Sequence, residues 1–83
     1  MNEYTPKRVS PPGATLLDLL NERTMSAREF ADEVGWSVQK VKSIISGKYR
    51  ITDVTASSLE DVTGIPALFW IEREKRYRES LDR

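Results

Sequence analysis

From Trp36 to Arg50 the chain carries four basic residues, Lys40, Lys42, Lys48 and Arg50, and no acidic one. Over the whole 83 residues, 13 Lys and Arg balance 13 Asp and Glu, so this is a local surplus in a neutral molecule. A run of this kind supports contact with phosphate, where Lys and Arg position a protein on a nucleic acid without reading its sequence. The uncharged neighbours add a second capacity. Gln39 can donate and accept at once, which is the pattern adenine offers in the major groove of DNA.

Covalent chemistry has little to work with. The chain has no Cys and no His, so thiolate chemistry, the commonest general base and the commonest metal ligand are all missing. The acidic pairs Asp32/Glu33 and Glu60/Asp61 are adjacent in sequence and suit solvated helix faces better than a catalytic dyad. There is no Gly-rich phosphate loop and no nucleophile elbow. The chain reads as a binder rather than an enzyme, with no cofactor and no metal.

Two short helices and a tight turn must position the basic run. Ser26 and Glu29 fit a capping box, in which each side chain satisfies a free amide of the other residue. Ala27, Phe30, Ala31 and Val34 then repeat at helical spacing, and Gly35 suits the left-handed residue that ends a helix. After Trp36, Ser37 is placed to cap a second helix. Val41, Ile44 and Ile45 form its buried stripe and Gly47 stops it. Helix, Gly turn, helix is the arrangement whose second helix enters the major groove. On that geometry Ser37, Val38, Gln39 and Lys42 face out and read bases. Lys48, Tyr49 and Arg50 follow the phosphate backbone, joined by Ser26, Arg28, Lys40 and Ser43. The alternative is a plain helical hairpin with a solvated basic face.

The remaining elements frame this pair. Residues 1–12, with Pro6, Pro11 and Pro12 and no apolar periodicity, read as a flexible arm; Lys7 and Arg8 there are placed to touch phosphate or a partner. Residues 13–83 read as one domain. A first helix over Gly13–Arg23 has Leu16, Leu17 and Leu20 as its stripe, with Leu19 beside it. A fourth spans Ile51–Thr63, capped by Thr52, with Ala56, Leu59 and Val62 inward, and Gly64 ends it. A fifth spans Pro66–Leu81. Its run Leu68, Phe69, Trp70, Ile71 points in too many directions for one small core to absorb. Glu72, Arg73, Glu74, Lys75, Arg76, Arg78 and Glu79 fill its remainder. Either this helix closes the core with Phe69 and Trp70 and is solvated outside, or Leu68, Ile71, Tyr77 and Leu81 form a second apolar face that meets a copy of the chain.

Charge bears on that choice. Asp18, Glu22, Glu29, Asp32 and Glu33 make the first two helices acidic, and a neutral monomer should hold DNA weakly. Two copies on a palindrome would double the phosphate contacts, which favours a two-fold homodimer through the fifth helix. No apolar run approaches the ~20 residues that cross a membrane, and no apolar segment near Met1 suggests a signal peptide. A cytoplasmic protein is expected.

Four ordered segments carry a resemblance. PPGATLLDLL looks like the opening of the HigA family of antitoxins, within the broader lambda-repressor-like (Xre) helix-turn-helix proteins. MSAREFADEVGWS looks like that family's S-x-x-x-x-A-x-x-x-G-x-S segment, and VKSIISGKYRIT its I-x-x-G-K-x-x-I-T segment. TASSLEDVTGIPALFW is similar to its closing segment, which passes from Thr-Ala through Leu and Gly to Pro and Trp. The match covers about residues 11 to 78. Two positions depart from the pattern: Ala27 stands where many relatives have Gln, and bulky Trp36 precedes the recognition-helix cap. The resemblance implies an all-α, five-helix lambda-repressor-like DNA-binding domain, a homodimer on a palindromic operator and a cognate toxin. That toxin would be a RelE-type ribonuclease that cuts messenger RNA on the ribosome, and the antitoxin would block it and repress their shared operon. Similar modules also open longer proteins with a metallopeptidase-like domain and occur in phage repressors, so an interaction or phage-repressor module without a toxin is the other expectation.

Overall fold

The computed structural model describes residues 10–81. Five helices follow one another, and no strand occurs among the described residues: α1 (Gly13–Glu22), α2 (Ala27–Val34), α3 (Val38–Ser46), α4 (Asp53–Thr63) and α5 (Ala67–Leu81). The expected helices are all present, with ends that differ by a residue or two. Arg23 is the C-cap of α1, Thr52 the N-cap of α4, and Pro66 lies just before α5.

The helix boundaries are set largely by side chains. Ser26 Oγ accepts the Glu29 amide at 3.1 Å and Glu29 Oε1 accepts the Ser26 amide at 2.8 Å, so both bonds of the capping box form. Ser37 Oγ accepts the Lys40 amide at 3.1 Å and Thr52 Oγ1 the Thr55 amide at 3.3 Å. Each bond satisfies one of the amides that a helix start leaves without an internal partner. α5 is capped from outside: Glu60 Oε1, on α4, accepts the Ala67 amide at 3.0 Å. Gly35 ends α2 in the left-handed region at φ 81°, which turns the chain toward Trp36 and Ser37.

The core is one cluster drawn from every helix. Leu16 and Leu20 of α1, Phe30 and Ala31 of α2, Val41 and Ile44 of α3, Ala56 and Leu59 of α4 and Trp70 of α5 are all buried, together with Ile51. Trp70 Nε1 donates to the Ile65 carbonyl at 3.2 Å, so the largest side chain of the core buries no unpaired donor. α1 approaches the end of α3 so closely that a Cβ on Gly13 would overlap the carbonyl oxygen of Ile44. The glycine there is a packing requirement.

Several expectations need correction. Leu17 is 42% exposed and Leu19 only half-buried, because α1 presents a narrow seam in which Leu16 and Leu20 alone reach the core. Ile45 and Val62 flank the core half-buried rather than filling it. Glu74, expected among the solvated charges of α5, is buried. Pro12 is also buried, and Pro11 lies against Gly47, so these two prolines pack with the helices rather than with an arm. Residues 1–9, including Lys7 and Arg8, lie outside the described residues.

Candidate nucleic-acid interface

α2 and α3 pack directly on one another, and Phe30 of α2 meets Trp36 of the turn edge to face with ring centroids 6.4 Å apart. That contact ties the turn to α2. With Val41 and Ile44 committed to the core, helical periodicity sends Gln39, Lys42, Ser43 and Ser46 to the opposite face. Gln39, Lys42 and Ser46 are exposed and Ser43 is half-buried. Ser37, at the start of the helix, is exposed as well.

Val38 behaves differently from its expected role. It is half-buried and packs against the core, because its position one turn before Val41 and Lys42 lies at the edge of the buried stripe. The outward surface of α3 is therefore built from Ser37, Gln39 and Lys42, extended by Ser46. Ser46 was not among the expected readers, although its spacing from Gln39 and Lys42 places it on their face. Its hydroxyl donates to the Ser43 carbonyl at 3.1 Å.

The expected phosphate-contacting residues fall into two groups. Lys48 and Arg50 are exposed beyond the end of α3, and Arg28 is exposed on α2. Ser26 keeps its hydroxyl proton available while its oxygen caps α2. Lys40 is placed otherwise: its Nζ lies 4.3 Å from the centre of the Trp36 ring and 5.1 Å from that of Tyr49. Lys40 and Tyr49 thus meet each other, and the ammonium is sheltered between two π faces. Ser43 contributes through its backbone, whose carbonyl accepts the amides of Lys48 at 2.9 Å and Tyr49 at 3.1 Å.

α5 carries the residues expected to meet a second copy, and it divides them. Leu68 is 64% and Leu81 56% exposed, whereas Ile71 and Tyr77 are half-buried. The thirteen positions between Leu68 and Leu81 turn them ~140° apart around a helix of 3.6 residues per turn, so they belong to different sides of α5. Tyr77 faces inward, with its hydroxyl beside Gly47. One side chain of α5 that was not singled out also reaches the end of α3. Arg78 Nη2 donates to the Gly47 carbonyl at 2.9 Å, and Arg78 Nε is paired with the buried Glu74.

α3 thus offers an amide, Gln39, and a cation, Lys42, on one exposed face. No group of acidic residues is placed to hold a metal among the described residues. No described helix is long and apolar enough to cross a membrane. The chain belongs to the helix-turn-helix family, whose model matches residues 16–70. Solved structures narrow the likeness. An addiction-module antidote protein of the HigA family from Coxiella burnetii is 28% identical, with a TM-score of 0.80 over 89% of this chain and 82% of that one. A protein from Nostoc punctiforme, described as an antidote of a plasmid maintenance system, is 24% identical with a TM-score of 0.85 over 90% and 82%. The Pseudomonas aeruginosa antitoxin HigA, solved with its higBA promoter, is 24% identical with a TM-score of 0.84 over 90% and 83%. The five-helix fold is theirs. No curated protein matches the chain in sequence.

Proposed function

We propose that this protein is a sequence-specific DNA-binding repressor that also serves as the antitoxin of a toxin–antitoxin pair. The observation that carries the DNA reading is the outward face of α3. Gln39 and Lys42 stand exposed there beside Lys48 and Arg50, in a stretch without an acidic residue. The amide reads an adenine edge while the cations engage phosphate. The HigA neighbours support the antitoxin role, since one is an addiction-module antidote and another was solved with promoter DNA. The toxin is a RelE-type ribonuclease encoded in the same operon, and the repressor acts in the cytoplasm.

The working unit is a homodimer on a palindromic operator. One recognition helix covers a few base pairs, and a neutral monomer supplies few cations. Two helices ~34 Å apart supply both reach and charge. The exposed Leu68 and Leu81 on α5 support that helix as the meeting surface. Their placement on different sides favours an interface in which the two ends of α5 touch different parts of the partner.

Titration of palindromic DNA from the protein's own upstream region, against a scrambled duplex, tests this function. Gln39→Ala should weaken the palindrome by ~1–3 kcal/mol and leave the scrambled duplex unchanged. Equal binding of both duplexes by the native protein would sink sequence-specific repression. A second reading, an interaction module that retains the scaffold without gripping DNA, is favoured by one observation: Lys40, a quarter of the local positive charge, is engaged by Trp36 and Tyr49. No binding to either duplex would establish it.

A further inference from the structure

We propose that Arg78, held by Glu74, is a positioning residue for DNA binding: from α5 it clamps the end of α3 and so fixes the phosphate-contacting loop Gly47–Arg50. The inference rests on the function proposed above and assigns to α5 a role in presenting DNA-binding residues that α5 does not itself carry.

The geometry converges on Gly47. This residue ends α3 at φ 86°, a conformation that disfavours any side chain, and it is buried. A Cβ there would lie 2.9 Å from the Tyr77 hydroxyl and 2.9 Å from Pro11 Cβ, so α5 and the segment before α1 close on it from two sides. Its carbonyl is one of the helix-end acceptors that has no partner within α3. Arg78 Nη2 supplies that partner at 2.9 Å and puts a positive charge at the negative end of the helix. The guanidinium is aimed by Glu74, one turn earlier on α5 and 6% exposed.

The loop is then tied again one step later. The Lys48 and Tyr49 amides both return to the Ser43 carbonyl, and the Tyr49 ring lies beside the Lys40 ammonium. Lys48 and Arg50 emerge from a loop fixed at both of these points, with their own side chains exposed. A loop ordered before DNA arrives does not have to be ordered by DNA, which raises affinity without a new contact.

Stability alone gives the Glu74–Arg78 pair a poor reason to exist. Among the described residues Glu74 Oε1 is buried without a hydrogen-bond partner, and a largely buried ion pair that leaves such an atom contributes little compared with an apolar pair of the same size. What an apolar pair cannot do is grip the Gly47 carbonyl.

The test replaces the pair without leaving a lone buried charge, in the variant Glu74→Leu/Arg78→Met. Helical circular dichroism should be kept and the thermal midpoint held within a few degrees. Amide exchange at Lys48 and Tyr49 should accelerate at least ~tenfold relative to Leu59 in the core, and DNA of any sequence should bind ~tenfold more weakly, as expected when a loop must be ordered on binding. The salt dependence of binding should keep its native slope, because Lys48 and Arg50 still reach phosphate. Unchanged exchange and affinity in a folded variant would overturn the clamp. A slope reduced by about one unit would overturn it differently, making Arg78 a direct phosphate contact. If the native protein binds no DNA, the proposed function falls while the exchange measurement still decides whether α5 holds the loop.

Discussion

The α2–α3 pair and α5 are specified in opposite ways. In the pair nearly every instruction is local. A capping box starts α2, a left-handed glycine stops it, a serine caps α3, and the apolar residues repeat at the helical period. α5 has few such instructions. Its first free amide is capped by Glu60 of α4, its inward residue Trp70 belongs to a core assembled from all five helices, and its carboxyl half is fixed by Arg78 on Gly47, 31 residues earlier. A helix with local signals can be placed by its own sequence, whereas a helix placed by its neighbours depends on the rest of the fold being present. Disruption should follow the same division: large and global at the anchor of α5, small and local at the caps of the pair.

The largest effect is expected at Trp70. Trp70→Ala removes the largest fully buried side chain and its hydrogen bond to Ile65, and should cost ~3–5 kcal/mol, a large part of the ~5–15 kcal/mol typical of a whole domain. Denaturant unfolding would measure it. Because α5 also clamps Gly47, the α3 loop should lose amide protection in the same variant. A cost below ~1 kcal/mol would mean that α5 is not anchored in the common core, and the contrast between the two regions would disappear.

Ser26 tests the local side. Ser26→Ala deletes one arm of the capping box while leaving the α2 core residues Phe30 and Ala31 in place. The expected loss is ~0.5–2 kcal/mol. The Ser26 hydroxyl offered to phosphate goes with the cap, so DNA of any sequence should bind somewhat more weakly, with no change in which sequence is preferred. A loss as large as that of Trp70→Ala would show that the pair, too, is held chiefly by one critical contact, and would blunt the comparison.

These differences also explain what could be read from the sequence. The five helices, the caps of α2, α3 and α4 and the burial of Phe30, Val41, Ile44 and Leu59 follow from periodicity and capping chemistry, both of which are local. The outward placement of Ser37, Gln39 and Lys42 follows as well, since committing Val41 and Ile44 to the core leaves them no other side. Val38 did not follow, because the edge of a buried stripe depends on how far the neighbouring helix reaches. Lys40 was legible as a cation but not as one lying between Trp36 and Tyr49, since Tyr49 returns to it only through the turn at Gly47. Glu74 and Arg78 looked like two more charges on a solvated helix. Their role depends on a carbonyl far away in the chain, which no helical period reports.

The smallest effect on the fold is expected at Lys48 and Arg50, and there it is separable from recognition. Both side chains are exposed past the end of α3, and neither belongs to the core. Lys48→Ala and Arg50→Ala should therefore leave stability within ~0.5 kcal/mol of the native value. Their effect should appear in binding: each should weaken operator and scrambled DNA alike, and each should lower the slope of log affinity against log salt by roughly one unit as a phosphate contact and its released counterions are lost. This contrasts with Gln39→Ala, whose loss should fall on the operator alone, and with the Glu74/Arg78 variant, whose slope should hold. A native slope in both Lys48→Ala and Arg50→Ala would remove the loop from the interface. The clamp from α5 would then fix a surface that serves something other than phosphate.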